Sequence, residues 1–346
     1  MRLPSEIVHR IALYIPHADD FFNLLDALSD ALDRGSPFEK LWRLSETDGM
    51  RRGDLWPALH VRQLRDPGTA DAIRAVVDLF PLAHVHGTSD VTLARRCTGA
   101  SSIAWYGDCV QWDMVSNDWV ADFALLPIIE LDQSSTNAYD MDGFFHVLPR
   151  LSSSLRSLRL YESLVNDTDD LFEFIGRSHL TSLVLDQVHY DDYNIMECIG
   201  STDLEYYRAV DIGDDEAEHL VSWLTTMPVE RVEFNKIDAP ASAQAFYRAL
   251  FYCPTLQHLA YTYSQLDGLA SVDFASPLPM ATLDLSGNGL NSTSIKGLCR
   301  GLRSSNVVSL DLSHNILDYE SVQALVECLP FTRIRELKLN HTNIGD

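Results

Sequence analysis

From residue 126 onward, apolar side chains recur as a triplet at positions 1, 4 and 6 of a repeating segment. Leucine fills all three at Leu155, Leu158 and Leu160 and again at Leu180, Leu183 and Leu185. Two later copies read Leu283-Asp-Leu285-Ser-Gly-Asn288 and Leu310-Asp-Leu312-Ser-His-Asn315, preceded by Met280 and Val307. Copies start at 126, 155, 180, 204, 229, 256, 280, 307 and 334, so neighbours stand 24 to 29 residues apart. Alternation inside the triplet is the period of a half-buried strand. Between strands the period becomes helical, with Ile295, Leu298 and Leu302 and then Val322, Leu325, Val326 and Leu329 at three- and four-residue steps. One strand and one helix form a unit that buries its apolar face only against the next unit. The middle copies carry Tyr207 and Ala209 at strand-core positions. They place Val188, Ile212 and Ile237 where Asn288 and Asn315 stand, which predicts either irregular turns there or a shifted register. A degenerate copy with Ala100, Ile103 and Trp105 precedes the series.

The first sixty residues follow a different rhythm. Ser5 can cap a helix whose apolar face is Ile7, Ile11, Tyr14 and Ile15, stopped by Pro16. A second helix from about Asp19 carries Phe22, Leu25, Leu28 and Leu32 and ends near Gly35. A third starts at Ser36-Pro37-Phe38-Glu39, where Ser36 and Glu39 have capping-box spacing, and carries Phe38, Leu41 and Trp42. These patterns divide the chain into a helical unit over 1–60, a helical and irregular junction over 61–98, and a repeat domain over 99–346. Trp56, Trp105, Trp112 and Trp119 gather around that transition and are expected to fill its core.

The repeat, with its L-x-x-L-x-L-x-x-N pattern, resembles the ribonuclease-inhibitor class of leucine-rich repeats over residues 126–346. The resemblance implies an α/β fold, a leucine-rich-repeat solenoid shaped as a horseshoe with parallel strands concave and helices convex, behind a small all-α N-terminal unit. It also implies protein binding. With the triplet turned inward, the intervening strand residues face the concave side. The partner-binding candidates are Glu130 and Asp132, Arg159 and Tyr161, Asp186, Arg208, Glu233 and Asn235, Asp284, Asp311, and Lys338.

At the other end, Leu3-Pro4-Ser5-Glu6-Ile7, followed by Ile11, Ile15 and Pro16, resembles the opening of an F-box. In that family the Leu-Pro pair and the apolar positions after it dock on the Skp-type adaptor of a cullin ubiquitin ligase. The resemblance therefore assigns adaptor binding to Leu3, Pro4, Ile7, Ile11 and Ile15. It covers about 30 residues, and the family's Val-Cys-x-x-Trp ending has no counterpart in Ala27 to Leu32. The alternative employment for these helices is to cap the open end of the first repeat, a need of every solenoid.

Charge narrows the partners. Fifty acidic residues against 26 basic ones give −24, which repels phosphate backbones and anionic lipid and so argues against nucleic acid and membrane partners. The longest apolar stretch, Phe123 to Ile129, is far too short to span a bilayer. The apolar patch at Ile11 to Ile15 is followed by Asp19 and Asp20 and by no small-residue cleavage site, so it reads as part of the mature chain. Six cysteines without a CxxC fit a reducing compartment, and a cytoplasmic or nuclear location is expected. The charge is −5 over residues 1–120, −16 over 121–228 and −3 over 229–346. The acids of the middle segment bunch ahead of helices, and equivalent loops of a solenoid stack. An acidic rim is expected at Asp167, Asp169, Asp170, Asp191, Asp192, Asp214, Asp215 and Glu216.

No nucleophile elbow, phosphate loop, HExxH or paired-cysteine metal motif occurs, so neither catalysis nor a cofactor is expected. The leading expectation is the substrate-recognition subunit of an SCF-type (Skp-cullin-F-box) ubiquitin ligase, within the Ubl conjugation pathway. Its partners would be a Skp-type adaptor and a client held by the repeats. The alternative is a ligase-independent acidic leucine-rich-repeat scaffold, or an inhibitor of a basic protein.

Overall fold

The computed structural model describes residues 5–344 except 13, 29–31, 33, 48–49, 63, 65–66, 108–109, 111–114, 135–143, 145–146, 152, 162–163, 166–167, 187–188, 191–205, 211–213, 237–242, 265, 267–268, 270–271 and 275. The chain folds as two units, Met1–Leu155 and Arg156–Asp346.

In the first unit, helices Ser5–Ala12, Ala18–Leu28, Pro37–Thr47 and Arg52–Leu55 precede four strands. These are β1 (Leu59–Arg62), β2 (Ala83–His86), β3 (Ile103–Tyr106) and β4 (Ile128–Ser134), paired in that order and all parallel. Helices Pro67–Arg74, Val91–Thr98 and Asn117–Phe123 connect them. The Ser36 cap forms as expected: Glu39 N donates to Ser36 Oγ at 3.3 Å, while the Glu39 carboxylate accepts from Gly35 N at 3.0 Å. Phe21, Phe22, Leu25, Phe38, Leu41 and Leu44 are buried between the helices. Phe21 stacks on Trp56 with ring centroids 4.1 Å apart, and Trp56 meets Phe80 edge-on at 6.0 Å. Trp56 thereby joins the second helix to the first repeat. Trp105 and Trp119 both pack on Phe123, as the expected core requires.

Two expectations change here. The stretch 61–98 is not an irregular junction, because strand–helix units begin at Leu59. Each of these strands is only four residues long, and its inward side is just Leu59 and Val61, or Ala83 and Val85, which no leucine triplet marks. In β4 the register shifts by one residue between Ile103 and Ala104 of its neighbour. Ile128 rather than Ile129 is therefore the buried side chain, a bulge that spacing alone does not reveal.

In the second unit the strands are β5 (Ser157–Tyr161), β6 (Leu164–Val165), β7 (Ser182–Asp186), β8 (His189–Tyr190), β9 (Tyr206–Val210), β10 (Arg231–Asn235), β11 (His258–Thr262), β12 (Thr282–Asp284), β13 (Ser309–Asp311) and β14 (Glu336–Lys338). β6 and β8 pair with each other. The other eight form a parallel ladder in the order β5-β7-β9-β10-β11-β12-β13-β14. Tyr207 stands opposite Leu183 and Val232, and Ala209 opposite Leu185 and Phe234, so the register of the middle copies holds despite their composition. The turns holding Val188, Ile212 and Ile237 lie outside the described residues.

The two asparagines tie successive repeats together. Asn315 is fully buried; its Oδ1 accepts from Asn288 N and Leu290 N at 3.0 and 3.1 Å, and its Nδ2 donates to Leu285 O and Leu312 O at 2.9 Å. Asn288 repeats the arrangement one unit earlier, accepting from Ser264 N at 2.9 Å and donating to Tyr261 O. Helix Ser292–Leu302 buries Ile295, Leu298 and Leu302 as expected. In helix Tyr319–Cys328, however, Val326 is exposed, because only Leu325 and the small Ser321 and Cys328 line the inner side.

Candidate functional site

Three surfaces hold the expected adaptor-binding and strand-face residues. The N-terminal helix Ser5–Ala12 turns only Ala12 inward among its described side chains. Ile7 is 45% exposed, Ile11 40% and, just beyond the helix, Tyr14 86%. Ile15 is half-buried and its carbonyl accepts from Trp56 Nε1 at 2.7 Å. Leu3 and Pro4 lie outside the described residues.

The outward face of β1–β4 is the second surface. Registers place His60 beside His84, Arg62 beside His86, His84 beside Ala104 and His86 beside Tyr106, followed by Glu130 and Asp132 on β4. Glu130 and Asp132 are half-buried on the side the alternation requires. The rings form a ladder. His60 stacks on His84 at 4.6 Å and on His86 at 5.3 Å, and His86 stacks on Tyr106 at 4.0 Å. His60 Nδ1 lies 3.1 Å from His86 Nε2, and His84 Nδ1 lies 3.1 Å from Tyr106 Oη. Burial pushes His60 below its ordinary value of 6.5, with His84 and Arg62 acting in the same direction and Asp54 opposing. Burial also lowers His84, against Glu130. Sequence reasoning missed this group. Its signal was the period-two runs Leu-His-Val-Arg and Ala-His-Val-His, too short to stand out.

The third surface is the outward face of β5–β14. Arg159 is exposed and Tyr161 half-buried, while Val184, opposite Arg159 and Arg208, is covered to 2% exposure. Asp186 and Arg208 sit on their strands at the expected outward positions, but their side chains are outside the description. Glu233, Asn235, Asp284 and Asp311 are half-buried and Lys338 exposed. Around the small Ala260, between Glu233 and Asp284 on the adjacent strands, lies a depression of about 340 Å³ that also takes in Arg231, His258 and Thr282. The acids of this strand face are partly satisfied within the chain. Arg231 Nε donates to Glu233 at 2.8 Å, and Asp284 and Asp311 accept from Ser286 N and Ser313 N at 2.9 Å. Lys338 Nζ stands 3.9 Å from Asp311.

Just past the strand ends, Tyr263, His314 and His341 adopt left-handed backbone at φ 50°, 59° and 57° and expose their rings. Tyr263 and His314 lie 5.8 Å apart and His314 stacks on His341 at 4.6 Å. Gly287 stands between the first two. A Cβ on it would come within 2.6 Å of the Tyr263 ring, so glycine there both takes φ 72° and admits the ring. Aligning the copies could have exposed this stripe, since its members occupy one position per repeat.

Of the acidic-rim candidates, Asp169 and Asp170 fall in the first turn of helix Thr168–Arg177, and Asp214, Asp215 and Glu216 in that of helix Asp214–Thr226. A helix's first turn is the positive end of its dipole, where acidic residue types are favoured. Asp167, Asp191 and Asp192 lie outside the described residues. Among the described residues, no group of three or more His, Cys, Asp or Glu has the geometry to hold a metal ion.

The parallel ladder, the strand–helix repeat and the asparagine bonds define a leucine-rich-repeat solenoid of the α/β class. No protein-family profile matches the chain, and no curated protein matches it in sequence. Among solved structures it is similar to a chain of the Rad7 and Elc1 complex from yeast, with 15% identity and a TM-score of 0.52, over 98% of this chain and 81% of that one. It is also similar to an internalin (InlF) of Listeria monocytogenes, with 14% identity and a TM-score of 0.44, over 77% and 69%. At 15% identity the likeness to the yeast chain speaks for the fold alone.

Proposed function

We propose that the chain is a non-catalytic, protein-binding subunit that recruits substrates to an SCF-type ubiquitin ligase in the cytoplasm or nucleus. In this reading the N-terminal helix binds a Skp-type adaptor and the outward strand faces bind the client. The observation that carries it is the exposure of Ile7, Ile11 and Tyr14. A helix that merely capped the first repeat would bury these side chains, and that task already falls to Phe21, Phe22 and Leu25 through Trp56. An apolar helix face left open to water favours a docking role. That the similar yeast chain was crystallised within a two-protein complex supports an interaction role in general.

The test is co-purification with a recombinant Skp-type adaptor. The wild-type chain is expected to retain it, and Ile7→Glu/Ile11→Glu to weaken retention by at least ~10-fold with unchanged melting, since both side chains point to solvent. Equal recovery by the two, or none by either, overturns adaptor binding. The charge of −24 favours a second reading, the ligase-independent scaffold or inhibitor of a basic protein. It expects complexes that survive the double substitution and dissociate as salt rises.

A further inference from the structure

The face of β1–β4 carries a chemistry of its own. We propose that the ring ladder of His60, His84, His86 and Tyr106, ending at Glu130 and Asp132, is a docking platform for arginine side chains of a protein partner, occupied at neutral pH and released on acidification. The inference rests on the chain being a protein-binding module and not on the ligase role.

The four rings come from three adjacent strands, and each stacks on or hydrogen-bonds a neighbour, so they hold one another at fixed spacing. All four are half-buried, so each residue keeps part of its surface open to water. The contact between His60 and His86 limits the charge of that pair, since at most one of the two rings can be doubly protonated while it holds. The 3.1 Å contact between His60 Nδ1 and His86 Nε2 needs one nitrogen as donor and the other as acceptor, and a doubly protonated pair has no acceptor. Burial of His60 and His84 acts in the same direction.

Neutral imidazole and phenol faces attract a planar cation, and a guanidinium both stacks on rings and offers paired N–H donors to carboxylates. Those carboxylates are Glu130 and Asp132, beside Ala104 and Tyr106 at the β4 end. The one basic side chain on the described part of this face, Arg62, sits at the opposite end and is held by Asp54 at 2.9 Å. The gradient along the ladder therefore draws an incoming cation towards β4. A lysine ammonium gains less, because it lacks the stacking plane.

The groups facing the three imidazoles are Asp54, Arg62, Tyr106, Glu130 and Asp132. Imidazole is the side-chain type whose charge ordinarily changes between about pH 5 and 8, so acidification over that range addresses the three histidines. Protonating them places positive charge beneath the bound guanidinium, and the sign of the effect is release.

Calorimetric titration of the full chain with a synthetic arginine-rich peptide and its lysine counterpart, at pH ~7.5 and ~5.5, tests this. The arginine peptide is expected to bind about 10-fold tighter than the lysine one at the higher pH, and to weaken by about 10-fold at the lower. His86→Ala/Tyr106→Ala removes no acidic side chain, so the general attraction of a −24 chain persists in it. This variant is expected to lose both the arginine preference and the pH dependence. Should it fail to fold, Glu130→Gln, which keeps every ring, is expected to weaken the arginine peptide several-fold. The proposal is overturned if the wild type does not discriminate between the peptides, if it keeps its affinity on acidification, or if a folded ladder variant binds as the wild type does. Ile7→Glu/Ile11→Glu leaves peptide binding intact, which separates this outcome from that of the adaptor test.

Discussion

Asn315 shows how much one side chain carries in a repeat. It satisfies two backbone N–H groups of the preceding turn and two carbonyls, all buried, and bridges positions about one repeat apart in the chain. Asn315→Ala is expected to cost about 2–4 kcal/mol, since several buried backbone groups lose their partner at once. Urea unfolding measures it, and a loss below about 1 kcal/mol would mean that water replaces the amide. Both asparagines stand out in the sequence because they recur at a fixed offset from a leucine pair. Tyr263, His314 and His341 occupy an equally regular position but differ in type, so nothing in composition groups them.

Helix Ser292–Leu302 contains Gly297 and Gly301, which propensity alone would count as defects of ~1 kcal/mol each against alanine. Packing separates them. A Cβ on Gly301 would stand 2.8 Å from the Phe274 ring and 3.3 Å from Leu278, both buried, whereas one on Gly297 would meet Phe274 at an ordinary 3.7 Å. Gly297→Ala is therefore expected to stabilise by about 0.5–1 kcal/mol. Gly301→Ala is expected to destabilise by about 1–2 kcal/mol, because overpacking outweighs the helical gain. Two thermal melts decide it, and equal signs would refute the steric account. The segment between β11 and β12 explains the need, for Leu266, Leu269, Val272 and Phe274 are buried there and no α-helix stands among its described residues. The close approach to Gly301 could not be read from either segment alone.

Across the chain, −24 is an expense of self-repulsion that salt relieves. The melting temperature is expected to rise by a few degrees between about 0.01 and 0.3 M sodium chloride, and a fall on adding salt would show that ion pairs outweigh repulsion. Arg96 with Asp71 and Lys296 with Glu320 are exposed pairs of the kind that contribute little.

Strand positions, inward residues and the class of fold were legible wherever leucine recurred, because alternate burial along a strand and a shared turn leave a period in the chain. The period faded where strands shortened to four residues around Leu59 and Ala83, and it misplaced Ile129 where a bulge intervened. Two things were decided only in three dimensions. Parallel register brings His60, His84, His86 and Tyr106 together from three separate strands, and no local pattern encodes which outward side chains become neighbours. The apolar face of the first helix reads the same in sequence whether its own chain or another molecule covers it. Only the packing of Phe21, Phe22 and Trp56 shows that the first repeat is already covered and that Ile7 and Ile11 face water.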